Sequence, residues 1–276
     1  MLNSWVMPKV SIITVNFNHK HFPKLQVEAI EKSRFSEGSE LSFEIVYVDN
    51  ASTDPISVGF LEQADRDGRL KLVKSLKNLG FAGGNNLAVK NSSGDFIFIL
   101  NPDTAVYPDT LQKMVEFFER DDGRRTGILG PQLVYADGTI QESCRRDMGI
   151  MDLAIKRTFL RHLPGFKNRL AKYLMSDFDH GKTQKVELLT GAAMMLPRAV
   201  FDRVGGFDDR YFLFMEDFDL CKKVRRAGYD IVYYPEAKVE HYHKRLSGGN
   251  FFTMLTKKVF WLHVESATKY FWKWRK

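Results

Sequence analysis

The chain has 276 residues, a formal charge of +7, 44% hydrophobic residues and 27% charged residues. These proportions are globular, so wholesale disorder and a collagen-like repeat are excluded, and the length gives one large domain or two small ones an ample core. The two cysteines, Cys144 and Cys221, make no disulfide framework, which points to a reducing, cytosolic setting.

No apolar run approaches the roughly 18–20 residues that cross a bilayer, and the opening MLNSWVMPKV lacks the pattern of a secretory signal. The charge is unevenly placed. From His241 onward there are eight Lys/Arg and one acid, which leaves 33 of each over residues 1–240. A neutral body with a basic tail argues against nucleic acid as a partner, because a nucleic-acid binder spreads cations over a folded face.

In chain order, residues 10–15 (VSIITV) read as a strand buried on both faces, residues 22–32 as a helix, and residues 43–48 (FEIVYV) as a second buried strand ending at Asp49. Thr53-Asp54-Pro55 supplies a cap and a proline for a helix to about residue 64. A short strand follows at 70–73, then a helix at 83–90, a strand at 96–100 (FIFIL) and a helix at 108–119 with Leu111, Val115 and Phe118 on one face. This alternation predicts a Rossmann-like, mostly parallel central sheet flanked by helices, in an α/β class. Ligands of such sheets bind beyond the carboxyl ends of the strands, where Asp49 and Asn101-Pro102-Asp103 fall. Past Ile128 the pattern changes. Residues 143–185 read as a basic, irregular, helix-prone insertion or lid, and 188–196 as an apolar run before a short helix at Pro197. A helix over 216–227 closed by Gly228 and a strand at 231–234 complete the body, with no repeat or linker dividing it.

Several residues carry two readings. Asp49 suits a hydrogen bond from a nucleobase or ribose, or a turn. The run 78–86 (NLGFAGGNN) places pliant backbone amides before a helix, suited to a diphosphate or sugar, and lacks the Gly-Lys-Ser/Thr ending of a Walker loop. Asp103 can hold Mg²⁺ or Mn²⁺ or cap the next helix, and His241 and His243 are metal ligands or structural. Glu216 and Asp217, adjacent on a helix, point about 100° apart and do not share a proton. One can serve as a general base beside the aromatic run 211–215, or both can simply favour the helix N-terminus.

Taken together, SIITVNFN (11–18), VDNASTD (48–54), NLGFAGGNN (78–86), ILNPD (99–103), the long segment 190–229 and VEHYHKRLSG (239–248) resemble glycosyltransferase family 2, closest to its rhamnosyltransferase-like branch. The resemblance covers about residues 8–250 and implies a GT-A fold, a nucleotide-diphosphate sugar donor and inversion at the anomeric carbon. It implies a nucleotide-binding half over about 8–125 and an acceptor half over about 126–250. By its motifs Thr14, Asn16 and Asp49 are nucleotide-binding positions, with Asp49 toward a pyrimidine base. Asn78, Gly83 and Asn86 lie beside ribose, diphosphate and sugar. Asp103 is the last acid of a DxD metal motif, His241 completes the metal site, Asp217 is the catalytic base and Glu216 an acceptor contact. Asn101 stands where the motif's first acid would be, which removes one negative charge and weakens the expected hold on metal.

Residues 251–276 interleave aromatics with lysines, as an amphipathic helix on an anionic membrane surface would, or as one packed on the domain or in a homodimer. The implied enzyme transfers a sugar, rhamnose first, to a saccharide or lipid-linked saccharide acceptor for a cell-surface polysaccharide, peripheral on the cytoplasmic face of the membrane. Two other readings are a sugar nucleotidyltransferase, whose glycine-rich signature with a catalytic cation after the first strand is missing from SIITVNFNHK, and a non-catalytic membrane- or glycan-binding module.

Overall fold

The computed structural model describes residues 9–35, 41–120, 125–147, 149–157, 163–242, 256 and 258–275. The elements run β1 (Val10–Asn16), α1 (Phe22–Glu31), β2 (Phe43–Asp49), α2 (Pro55–Arg66), β3 (Lys71–Lys74), α3 (Gly80–Lys90), β4 (Phe96–Leu100), β5 (Thr104–Val106) and α4 (Thr110–Glu119). Then come β6 (Thr126–Val134), β7 (Ile140–Gln141), β8 (Cys144–Arg145), α5 (Ile150–Arg157), α6 (Pro164–Leu174), β9 (Gln184–Val186), β10 (Leu188–Leu189) and β11 (Ala193–Pro197). The chain continues through α7 (Arg198–Arg203), α8 (Glu216–Arg226), β12 (Asp230–His241) and α9 (Lys258–Trp274).

The main sheet has the order β3-β2-β1-β4-β11-β6-β12-β5, with β7 beside β6 and β9 beside β12. The first four strands are parallel, as their apolar runs require. Alternate residues of β1 feed opposite faces: Ile12 packs with α1, α2 and α4, and Ile13 with α3, α7 and α8. Register then fixes the edge. Asn16 pairs with Asp49 and Thr14 with Leu100, so the chain leaves β1, β2 and β4 at one level.

Beyond β4 the sheet departs from the purely parallel pattern of its first half. β11 runs antiparallel to β4, and β5 antiparallel to β12. β6 is absent from the sequence reading because Gly127, Gly130 and Pro131 obscure its strand pattern, although all nine residues are buried. β12 extends well past the expected 231–234: a register shift between Tyr234 and Lys238 absorbs Pro235 as a bulge, and the strand resumes to His241. The expected irregular insertion also contains order. α5 and α6 lie within it, β9 joins the main sheet, and β8 pairs with β10 in a small second sheet.

The tail forms α9, and its inner stripe of His263, Ser266, Ala267 and Tyr270 is buried. Ala267 and Tyr270 share a third apolar cluster with Tyr173, Tyr211 and Met215, separate from the two clusters on either side of the sheet. Packing on the domain is therefore observed for this face. His243 and residues 251–255, 257 and 276 fall outside the described residues.

Candidate active site

The edge past β1 and β2 is laced by short polar side chains. The Asn16 amide donates to Asp49 Oδ1 (3.2 Å), Ser52 Oγ (3.1 Å) and Ser57 Oγ (3.3 Å). Asn18 Oδ1 accepts from the Thr53 and Asp54 amides, and Asp54 in turn caps α2 through the Ser57 amide at 2.8 Å. Asn16 thus orients Asp49 and closes the loop after β2, while Asp49 itself is 6% exposed at the strand end. Thr14 is fully buried and donates to Gln26 Oε1 at 2.9 Å, so it braces the site from behind.

Gln26 sits at the centre of a network invisible in the motifs. Its Oε1 also accepts from the Tyr47 hydroxyl, and its amide donates to the Asn101 carbonyl (2.5 Å) and Thr104 Oγ1 (2.9 Å). Fully buried in α1, it holds the Asn101–Asp103 turn from below. Asn50 plays the same part for the glycine-rich segment. Its Oδ1 accepts from the Leu79 amide (2.8 Å), and its amide donates to Asn78 Oδ1 (2.9 Å) and the Gly80 carbonyl (3.1 Å). Gly80 has φ +74°, and a Cβ there would run into the Phe212 backbone. Phe81 donates its amide to the Phe212 carbonyl at 2.9 Å, joining the donor segment to the loop before α8. Gly83 lies in the first turn of α3 with Leu79 close by. Asn86 spends its side chain on the Phe207 backbone and on Asp209 Oδ1, which ties α3 to the same loop.

Asp103 and His241 meet because β5 pairs with β12, setting His241 opposite Thr104. His241 Nε2 stands 3.5 Å from Asp103 Oδ1, and its Nδ1 lies 2.6 Å from Gln141 Oε1. A proton on Nδ1 is therefore the arrangement Gln141 favours; the neutral ring then turns its Nε2 lone pair toward a cation at the carboxylate, and the doubly protonated ring pairs with Asp103 directly. Burial pushes the Asp103 carboxyl up, but the His241 contact and the charges of His241 and His19 outweigh it and hold the group below its ordinary value. His19 is itself lowered by burial, against the pull of Asp103. One carboxylate oxygen and one imidazole nitrogen, oriented from behind, fit a divalent cation that takes its other ligands from substrate and water. Among the described residues no group of three or more His, Cys, Asp or Glu could hold a metal, so these residues offer a pair.

Two adjacent acids open α8. Glu216 turns inward, and burial, then the neighbouring Asp217 charge, pushes its carboxyl well above the carboxylate range. Asp217 is half-buried; its Oδ2 accepts from the Gly191 amide (2.9 Å) and its Oδ1 from its neighbour Phe218 (2.8 Å). The two acids thus have different surroundings, Glu216 being 6% exposed and Asp217 half-buried. A Cβ on Gly191 would stand 3.1 Å from Asp217 Cβ, so a small residue admits the carboxylate. One residue on, the Ala192 carbonyl accepts from the Asn101 amide at 2.9 Å, which ties the Asp217 anchor to the Asp103 turn. Asp49, the Asp103–His241 pair and Asp217 therefore stand along one sheet edge. Two cavities of about 470 Å³ each lie away from this edge, one against Arg125, Arg146 and Asp230 and one against Glu62 and Lys74.

A protein-family model for glycosyl transferase family 2 matches residues 11–205, and one described as the N-terminal domain of galactosyltransferase matches 174–245. An uncharacterized protein, y4gI of Sinorhizobium fredii, is 31% identical over 88% of this chain, which spans 25% of that protein's length. N-acetylglucosaminyl-diphospho-decaprenol L-rhamnosyltransferase of Mycobacterium tuberculosis is 26% identical over 78% of this chain and 75% of its own. Among solved structures, the mannosyltransferase PcManGT of Pyrobaculum calidifontis, in complex with GDP-Man and Mn2+, superposes with a TM-score of 0.59 at 17% identity, covering 96% of this chain and 74% of that one. The superposition shows a shared GT-A fold. With the family model spanning Asp49, the Asp103 turn and Gly191, the chain belongs to glycosyl transferase family 2.

Proposed function

We propose that the chain is an inverting glycosyltransferase that moves a sugar, rhamnose first among candidates, from a nucleotide-diphosphate sugar to a saccharide acceptor. The observation that carries this reading is the alignment of three features on one edge: a buried carboxylate at the end of β2 (Asp49), a metal-fitting pair (Asp103 and His241) and a half-buried carboxylate fixed by two backbone amides (Asp217). Asp217 takes the proton of the acceptor hydroxyl as that oxygen attacks the anomeric carbon, and the nucleotide diphosphate leaves from the opposite face. Burial of Glu216, which pushes its carboxyl up, disfavours a second charge beside the base. Mg²⁺ or Mn²⁺ on Asp103 and His241 supplies charge neutralisation for the diphosphate when bound.

The dTDP-rhamnose donor and a lipid-linked acceptor draw support from the mycobacterial relative, whose name states rhamnosyl transfer to a decaprenol-linked sugar. A place at the membrane surface draws support from the outer face of α9. Trp261 and Trp272 are 57% and 66% exposed and eleven residues apart, which returns them to the same side after three turns. No helix among the described residues is long and apolar enough to cross a membrane. A homodimer through the same face is the competing use of these rings, and a Trp261→Ser/Trp272→Ser variant separates them by vesicle binding against solution mass.

The decisive experiment incubates the protein with dTDP-rhamnose, UDP-hexoses and GDP-sugars and a saccharide acceptor, reading nucleotide release and the anomeric configuration of the product. Release of dTDP with an inverted linkage is expected. Release from no donor, or retention of configuration, overturns the reading.

A further inference from the structure

We propose that the inner face of α9 is a positioning element of the acceptor side, setting where Asp217 stands, and that it is more than a membrane address. The inference rests on the reading of Asp217 as the base. The segment 208–219 contains the loop that delivers Glu216 and Asp217, and its backbone is unfavourable on its own. Phe214 and Met215 both have φ +71°, and α8 starts with no side-chain cap. Two bulky residues in the left-handed region persist only where their surroundings impose it.

Those surroundings are the α9 stripe, which grips the segment along its length. Lys273 Nζ reaches Asp208 Oδ2 (2.7 Å) at one end and Asp219 (2.7 Å) at the other. Lys269 Nζ donates to the Arg210 carbonyl (2.9 Å) and Ser266 Oγ to the Leu213 carbonyl (2.8 Å). The His263 ring meets Phe214 edge-on at 4.7 Å, and Met215 packs in the cluster with Ala267 and Tyr270. Trp274 Nε1 donates to Asp219 Oδ1 at 2.8 Å, so a fully buried carboxylate two residues past Asp217 takes both of its strong donors from the last turn of α9. Such a buried ion pair costs dearly to break from one side, which makes the grip directional. The segment is also tied to α3 through Phe81 and Asn86, and Phe218 packs against the cluster on that side of the sheet, but the buried members of the cluster under α9 are its own, so loosening α9 should free the segment more than it frees β1, β2 and β4.

The test combines hydrogen exchange with kinetics on the full chain. Lys273→Met should speed exchange across 208–218, leave 43–50 and 96–101 protected, and lower transfer kcat about tenfold to a hundredfold while donor KM stays within about twofold. Lys273→Arg should recover most of both. The milder pair Trp274→Phe/Ser266→Ala, which keeps the ring packing, should move the same two readouts less. Unchanged exchange over 208–218, or transfer within about twofold of the parent despite a loosened segment, overturns the proposal. Loss of protection spread through β1, β2 and β4 also overturns it, because α9 would then be a general support. If the parent transfers no sugar from any donor, the functional reading falls, and the exchange result by itself still decides whether α9 fixes the segment.

Discussion

The donor and acceptor halves of the edge hold their carboxylates in different ways. Asp49 and Asp103 sit at or just past the ends of buried parallel strands, steadied by side chains of the first half of the chain, Asn16 and Gln26, and by His241. Asp217 sits at the start of a helix reached through two left-handed residues, anchored by backbone amides and clamped by α9 more than forty residues later. A strand end needs only its own sheet to be placed, whereas the acceptor loop needs a distant element, so damage at the two ends should read out differently.

The largest expected effect is at Asp217. Asp217→Asn should cut transfer by about three to four orders of magnitude while nucleotide affinity, a property of the other half, stays within about twofold by calorimetry. Near-normal turnover would end the base assignment and the contrast with it. Next comes the metal-fitting pair. Chelation, or Asp103→Asn, should lower transfer on the order of a hundredfold and raise the donor KM, and His241→Ala should weaken the response to added Mn²⁺.

Gln26→Leu probes the donor brace from behind. It leaves the Thr14, Tyr47 and Thr104 hydroxyls and the Asn101 carbonyl short of a buried partner, so about 2–3 kcal/mol of stability should be lost and the Mn²⁺ concentration for half-activity should rise, with Asp217-dependent steps unchanged at saturating metal. Denaturant melts with a metal titration check both parts. The smallest effect is a matter of pH. Burial raises the Glu216 carboxyl on folding, so the folded state holds this proton to higher pH than the unfolded chain, which ionises as pH climbs past the ordinary value near 4.5. Stability from this group is present at low pH and lost as pH rises toward its raised value. Glu216→Gln should therefore melt a few degrees higher than the parent at pH 8 and the same at pH 4.

The donor half was largely legible in the sequence. Val10–Asn16, Phe43–Asp49 and Phe96–Leu100 are continuous apolar runs that end on polar residues, and Asp54-Pro55 marks its helix start as written. Thr14 and Asn86 were visible as motif positions, yet both spend their side chains on protein partners. Gln26, Asn50 and Gln141 left no usable signal, because an amide in a helix or turn looks alike whether it faces water or a buried network. β6 and the far half of β12 were hidden by glycine and proline, whose cost in a strand is offset here by burial and by a bulge.

By itself the sequence determined the alternation of strands and helices, the parallel half-sheet and the edge where the carboxylates gather, since these follow from local periodicity and from the fact that buried strands pair. It also placed the excess charge in the tail. Only the tertiary structure decided that His241 stands opposite the Asp103 turn, that Glu216 is buried with its carboxyl pushed up while Asp217 accepts from Gly191, and that the tail's inner face grips the loop before α8. Each of these depends on pairing between residues far apart in the chain, where the free energy comes from burial and hydrogen bonding of groups whose partners local sequence does not specify.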